Sequence, residues 1–163
     1  REFKDRFGNS LRGDGSGVSA TYGLAFHTPA TPDGRKDSDP FADATLSPAQ
    51  GRDLKGPTAV LKSASKIKTE NTHNHLLNQK FLPSMLEGDM KNVFAGYLKT
   101  WGELGINQIQ FNVIDRETLI DAQRRPEKCP DLIVRVAGYS AYFVDLSKGL
   151  QDSIIQRTEQ RFM

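Results

Sequence analysis

The chain has 163 residues, with 22 Lys and Arg against 20 Asp and Glu and a formal net charge of +2. That length supports one domain with a modest core. Interspersed charges leave no basic stripe for nucleic acid, and no apolar run approaches the ~20 residues of a membrane helix. The opening Arg1-Glu2-Phe3-Lys4-Asp5 is charged where a secretory signal would be apolar. It also lacks an initiator Met, which fits a fragment or a processed chain. The single cysteine, Cys129, cannot form an internal disulfide, so a reducing cytoplasm is the expected compartment.

The two halves differ. Residues 1–82 hold most of the Gly and Pro and show little sustained periodicity. Leu11-Arg12-Gly13-Asp14-Gly15-Ser16-Gly17 and Thr31-Pro32-Asp33-Gly34-Arg35 read as loops and turns. So long an irregular stretch is unusual in a compact domain and suits a segment lying across a larger body.

Residues 83–163 are regular. Ser84 and Glu87 suggest a capping box. Leu86, Met90, Val93, Phe94, Tyr97, Leu98, Trp101 and Leu104 then follow helical spacing up to Gly105. A strand follows, with Ile109, Phe111 and Val113 on one face and Gln108, Gln110 and Asn112 on the other. Asp115 caps a predicted helix over about 116–125, stopped near Pro126. Asp131 to Ala137 reads as a buried strand interrupted by Gly138, and Tyr139 to Leu146 is apolar around Asp145. Ser147 caps a last helix over about 148–159, with Leu150, Ile154 and Ile155 on one face. The order predicts an α/β architecture. Its few strands would have bare edges, which again argues for a larger partner.

Several constellations carry little chemistry. His73-Asn74-His75 has metal-ligand spacing but no third ligand nearby. Gly13, Gly15 and Gly17 make a poor dinucleotide fingerprint, because no strand precedes them. Arg12-Gly13-Asp14 reads as a turn. Asp33, Asp37, Asp39 and Asp43 read as a solvated acidic loop. Cys129 lies in the polar turn Arg125-Pro126-Glu127-Lys128-Cys129-Pro130 and reads as an incidental thiol without an activating environment.

The informative segment is Arg135-Val136-Ala137-Gly138-Tyr139-Ser140-Ala141. An anonymous glycine there would be read as a turn residue with positive φ. Its context says more. Arg135 through Leu146 closely resembles the signature of the glycyl radical enzymes, the family of pyruvate formate-lyase, glycerol dehydratase, choline trimethylamine-lyase and benzylsuccinate synthase. The resemblance extends to Leu150-Gln151-Asp152-Ser153-Ile154-Ile155-Gln156-Arg157-Thr158, Asn78-Gln79-Lys80-Phe81, Gln110-Phe111-Asn112-Val113 and Asp121-Ala122-Gln123. Upstream it includes Ala30-Thr31-Pro32-Asp33-Gly34-Arg35-Lys36 and Gly56-Pro57-Thr58-Ala59, so it spans roughly residues 28–160.

That resemblance implies the C-terminal portion of a glycyl radical enzyme barrel. A loop-rich segment, 1–82, would pack on the barrel, and 83–163 would form the radical domain. It implies a lyase-type enzyme whose radical is stored on Gly138, with Arg135, Val136, Ala137, Tyr139 and Ser140 as the surroundings. Loss of an α-hydrogen leaves an electron shared by the flanking amide and carbonyl, and a side-chain-free carbon flattens most readily. Val134, Val136, Tyr139 and Phe143 are expected to form a dry pocket against oxygen. No cofactor is implied as permanently bound. An activating enzyme with S-adenosylmethionine and an iron–sulfur cluster would install the radical. The radical would then pass to a cysteine in the barrel, outside this chain.

Further implied partners are the barrel portion of the same enzyme and small accessory subunits, with no nucleic acid and no membrane. Ala137 stands where pyruvate formate-lyase has Ser. Val18-Ser19-Ala20-Thr21-Tyr22-Gly23-Leu24 and Phe143 to Asp152 resemble benzylsuccinate and alkylsuccinate synthases, so the lean is to fumarate addition in anaerobic metabolism. The alternatives are a diol dehydratase or choline-lyase type of eliminase, or a spare-part protein that replaces an oxygen-cleaved C-terminus.

Overall fold

The computed structural model describes residues 3–10, 13–14, 20–68, 72–73 and 75–162, with backbone alone at 13–14 and 72–73. The Arg12-Gly13-Asp14 tripeptide, the Gly13–Gly17 run, Val18-Ser19 and the His73-Asn74-His75 pair lie wholly or partly outside the described residues.

The architecture is mixed α/β around a parallel sheet. Two short strands, β1 (Gly13–Asp14) and β2 (Thr72–His73), pair in parallel. Helices α1 (Ala20–Ala25) and α2 (Pro57–Ala64) punctuate the irregular first part. The central strand β3 (Leu76–Phe81) lies between β4 (Gln108–Val113) and β7 (Glu159–Gln160), with both neighbours parallel to it. Helix α3 (Met90–Glu103) makes the crossover from β3 to β4. Helix α4 (Arg116–Arg124), the hairpin β5 (Ile133–Arg135) and β6 (Ser140–Tyr142), and helix α5 (Lys148–Gln156) fill the stretch from β4 to β7.

Two apolar cores result. One gathers Leu46, Val60, Leu61, Ala64, Leu77, Phe81, Tyr97 and Ile106. Phe81 is fully buried at its centre, with ring centroids 5.4 Å from Phe94, 5.5 Å from Tyr97 and 5.8 Å from Phe111. The other core joins Leu119 and Ala122 of α4, Val134, Val136 and Phe143 of the hairpin region, and Ile154 and Ile155 of α5. Successive residues of β3 alternate between faces. Leu77 and Phe81 enter the first core, while Asn78 and Lys80 turn toward the hairpin and α5.

Several expectations hold. The Asp115 carboxylate accepts the Thr118 N–H at 2.7 Å and caps α4, and Gly105 follows α3 at φ 67°. Others are corrected. No capping box starts α3: residues Pro83–Leu86 form one 3-10 turn, Gly88 takes φ 50°, and the helix begins at Met90. Ser147 makes no side-chain cap; its carbonyl accepts the Leu150 and Gln151 N–H groups instead. The last helix stops at Gln156, because Glu159–Gln160 is drawn into the sheet. Asp131 to Ala137 is not a continuous buried strand. Only Ile133–Arg135 is extended, and Ile133 is 59% exposed. Residues before 82 are less irregular than their sequence suggests, since β3 lies within them and is the strand through which the whole sheet is joined.

Candidate functional site

Gly138 occupies the tip of the β5–β6 hairpin. Val134 pairs with Ala141 and Arg135 with Ser140 in antiparallel register, and the Val136 N–H donates to the Tyr139 carbonyl at 2.9 Å to close the turn. Gly138 has φ 79°, a conformation that residues with a β-carbon adopt only at a cost. Space does not demand glycine here. A β-carbon built on Gly138 would meet only Leu76 Cδ2, at an ordinary 3.9 Å. The backbone dihedral is what selects the residue.

The end of β5 next to the turn is held by polar side chains from β3, β4 and the segment after α5. The Arg135 carbonyl accepts Asn112 Nδ2 at 2.8 Å and Arg157 Nη1 at 3.0 Å. The Val136 carbonyl accepts Arg157 Nη2 at 2.7 Å and Asn78 Nδ2 at 3.3 Å. The Arg135 N–H donates to Asn112 Oδ1 at 2.8 Å, so Asn112 holds that residue at both backbone groups. The Gln151 side chain donates to the Phe143 carbonyl at 2.9 Å and fixes the far end of the hairpin to α5. Asn78 and Asn112 come from the polar faces of β3 and β4, which are buried against the hairpin. A backbone carbonyl shut away from water needs such partners.

Arg157 is anchored in turn by Asp43, whose Oδ2 lies 2.8 Å from Arg157 Nε. Burial raises the Asp43 carboxyl above the ordinary aspartate range, and the guanidinium charge opposes that shift. Burial likewise lowers the Arg157 guanidinium, and Asp43 opposes it. A guanidinium stays protonated in proteins, so Asp43 faces a fixed positive charge with little access to water. Arg135 itself reaches along the hairpin: its Nη1 donates to Ser140 Oγ at 2.9 Å and its Nε to Gln110 Oε1 at 3.2 Å.

The expected dry pocket is one-sided within this chain. Of the four residues expected to line it, Val134, Val136 and Phe143 are buried, and Ala137 is buried beside them. Gly138 is exposed and Tyr139 is 41% exposed. Ile133 and Tyr142, a cross-strand pair, are 59% and 47% exposed. The outer face of the hairpin is therefore apolar but uncovered by this chain. Cys129 is partly buried against the second core.

Among the described residues no three His, Cys, Asp or Glu side chains gather as a metal site. The acidic run is dispersed: Asp33 accepts from Thr31, Asp39 from the Lys36 N–H, and Asp43 turns inward to Arg157. No described helix is long and apolar enough to cross a membrane. The sequence reading overlooked Asp43, Asn78, Asn112 and Arg157 as a set. The available signal was Asn78-Gln79-Lys80 and Gln110 with Asn112, polar residues on strands that a parallel sheet buries on both faces.

Gly138 thus stands at positive φ on a hairpin held by side chains of β3, β4 and the segment after α5. The family model described as "Glycine radical" matches residues 42–144, more than half of the chain. The chain therefore belongs to the glycine radical family. It is 46% identical over 138 residues to trans-4-hydroxy-L-proline dehydratase of Clostridioides difficile, which covers 82% of this chain and 17% of that protein. It is also 46% identical over 138 residues to the isethionate sulfite-lyase of Oleidesulfovibrio alaskensis, covering 82% of this chain and 16% of that one. A solved structure concerned with 1,2-propanediol dehydration in Roseburia inulinivorans matches with a TM-score of 0.89 at 43% identity, over 98% of this chain and 20% of that one. The chain thus spans about a fifth or less of the length of these relatives. Dehydratases and a lyase replace the expected lean toward fumarate-adding synthases; the likeness of Val18–Leu24 and Phe143–Asp152 to those synthases does not carry the branch.

Proposed function

We propose that Gly138 stores a backbone radical for an eliminase that removes water or a comparable leaving group from a small hydroxylated substrate. One observation carries the site: in a chain of the glycine radical family, Gly138 stands at φ 79° on the tip of a hairpin whose first strand is held next to the turn by four side-chain donors. The similarity to trans-4-hydroxy-L-proline dehydratase, isethionate sulfite-lyase and the 1,2-propanediol structure supports elimination rather than C–C bond formation.

An activating enzyme using S-adenosylmethionine and an iron–sulfur cluster abstracts one α-hydrogen of Gly138. The resulting radical takes a hydrogen atom from a cysteine thiol, forming C–H and breaking S–H. The thiyl takes a hydrogen atom from the substrate carbon next to the leaving group. The substrate radical expels its leaving group with a proton, and the product radical recovers the hydrogen from the thiol. The thiol is placed in the remainder of a longer protein, since the chain's one cysteine, Cys129, packs against the second core. Residues 83–163 act as the radical domain and 1–82 as a segment lying on the barrel, in the cytoplasm. Arg135, Val136, Ala137, Tyr139 and Ser140 form the surroundings of the radical.

The test incubates the activated full-length enzyme anaerobically with trans-4-hydroxy-L-proline, with 1,2-propanediol, and with toluene plus fumarate. The expected result is a product short of one water from a hydroxylated compound and no succinate adduct. A succinate adduct overturns the eliminase reading.

A further inference from the structure

We propose that Arg157, anchored by Asp43, is a positioning residue that aims the Gly138 α-carbon at the thiol with which it exchanges a hydrogen atom. The inference rests on the Gly138 reading and deepens it.

Among the described residues Arg157 alone touches both carbonyls before the turn, at 3.0 Å to Arg135 and 2.7 Å to Val136. Those residues lie three and two positions before Gly138, so a shift of the guanidinium is passed to the tip through two peptide units. A planar fork can place two N–H groups on two successive carbonyls while its charge is paired by a carboxylate 2.8 Å from Nε; a lysine ammonium cannot keep that geometry. Asp43 does not act on the guanidinium alone, because its own carbonyl accepts Asn78 Nδ2 at 3.2 Å and Asn78 also donates to Val136. Asp43 thus holds both side chains that donate to the Val136 carbonyl.

A largely buried ion pair, with side chains 8% and 13% exposed, is weak evidence for stability, because an apolar pair of the same volume holds a fold as well or better. What the pair provides is direction. Hydrogen-atom transfer between Gly138 and a thiol needs the two atoms held within a few tenths of an ångström of the reactive distance, and a misplacement of ~1 Å costs on the order of 100-fold in rate.

The test uses the full-length enzyme with its activating enzyme and needs no substrate. After activation, transfer to buffer in D2O exchanges the thiol proton for deuterium. Each reversible transfer then carries deuterium onto Gly138, and the doublet set by its remaining α-hydrogen collapses to a singlet in electron paramagnetic resonance. Collapse rate at a given spin count reports the transfer itself. Arg157→Lys is expected to slow collapse ~10-fold or more, and Asp43→Asn by a smaller factor. Leu61→Val, a core trim on the far side of the sheet, lowers thermal stability and leaves the rate per spin unchanged. Should Arg157→Lys fail to fold, Asp43→Asn, which leaves the guanidinium in place, decides alone. Collapse within two-fold of the parent in the folded variants overturns the positioning role while the parent's doublet stands. A parent enzyme without any doublet overturns the Gly138 reading and this inference together.

Discussion

At Gly138 the reason for glycine is conformational before it is chemical. The residue holds φ 79° with open space where a side chain would go, so Gly138→Ala is predicted to fold. The strain of a β-carbon in the left-handed region is about 1–2 kcal/mol, read as a modest fall in melting temperature. Unfolding of this variant would contradict that assignment. The signature Arg135–Leu146 singles out this position as a resemblance, and the structure adds its positive φ. The clamp was not legible. Asn78 and Asn112 become partners of the hairpin only through the pairing of β3 with β4, which aligns Lys80 with Asn112. Asp43 and Arg157 are 114 residues apart in the chain, a distance no spacing argument bridges.

Element boundaries follow local chemistry where a side chain decides them. Asp115 caps α4, and hydrogen bonds from the Thr118 backbone and then its side chain hold the carboxyl below the ordinary aspartate range. A depressed carboxyl contributes stability that is present above its unfolded value, near 3.9, and lost as pH falls through the lower folded one. Asp115→Ala is predicted to cost about 1 kcal/mol near neutral pH. The gap to the parent closes as the pH is lowered below about 4, measured by denaturant titration. A gap independent of pH would contradict the cap. The mistaken start of α3 has a local cause as well: Gly88 at φ 50° breaks the helical run that the apolar spacing carries through it. Strand β3 escaped notice because all six of its residues are buried. It shows no in–out alternation, and the polar Asn78-Gln79-Lys80 interrupts the apolar run that would otherwise mark a parallel strand.

Over the described residues, two cores flank the sheet and the hairpin belongs to the second of them. Phe81 is fully buried among the rings of Phe94, Tyr97, Phe111 and Phe162, so Phe81→Ala is predicted to destabilise by about 3–5 kcal/mol. A loss under about 1 kcal/mol in chemical denaturation would deny it that central place. The α/β class was legible because helix and strand periods alternate after residue 83. The arrangement of the first part was not, because its order comes from long-range hydrogen bonds. Gln50 donates to the Ser153 carbonyl at 3.3 Å, and Gln160 donates to Asp53 at 2.6 Å. These contacts bind the loop around residues 43–53 to the last helix and strand, next to the guanidinium that holds the hairpin. The uncovered apolar face of Ile133, Tyr139 and Tyr142 around Gly138 is consistent with a chain that spans a fifth or less of its relatives.

The central claim is tested most directly by anaerobic electron paramagnetic resonance of the full-length protein after treatment with its activating enzyme and S-adenosylmethionine. Parent protein is expected to give a doublet in H2O that narrows to a singlet when the glycine is supplied deuterated at its α-carbon and the activation is run in D2O, and folded Gly138→Ala to give no signal. An undiminished doublet from Gly138→Ala would place the unpaired electron elsewhere and contradict the account.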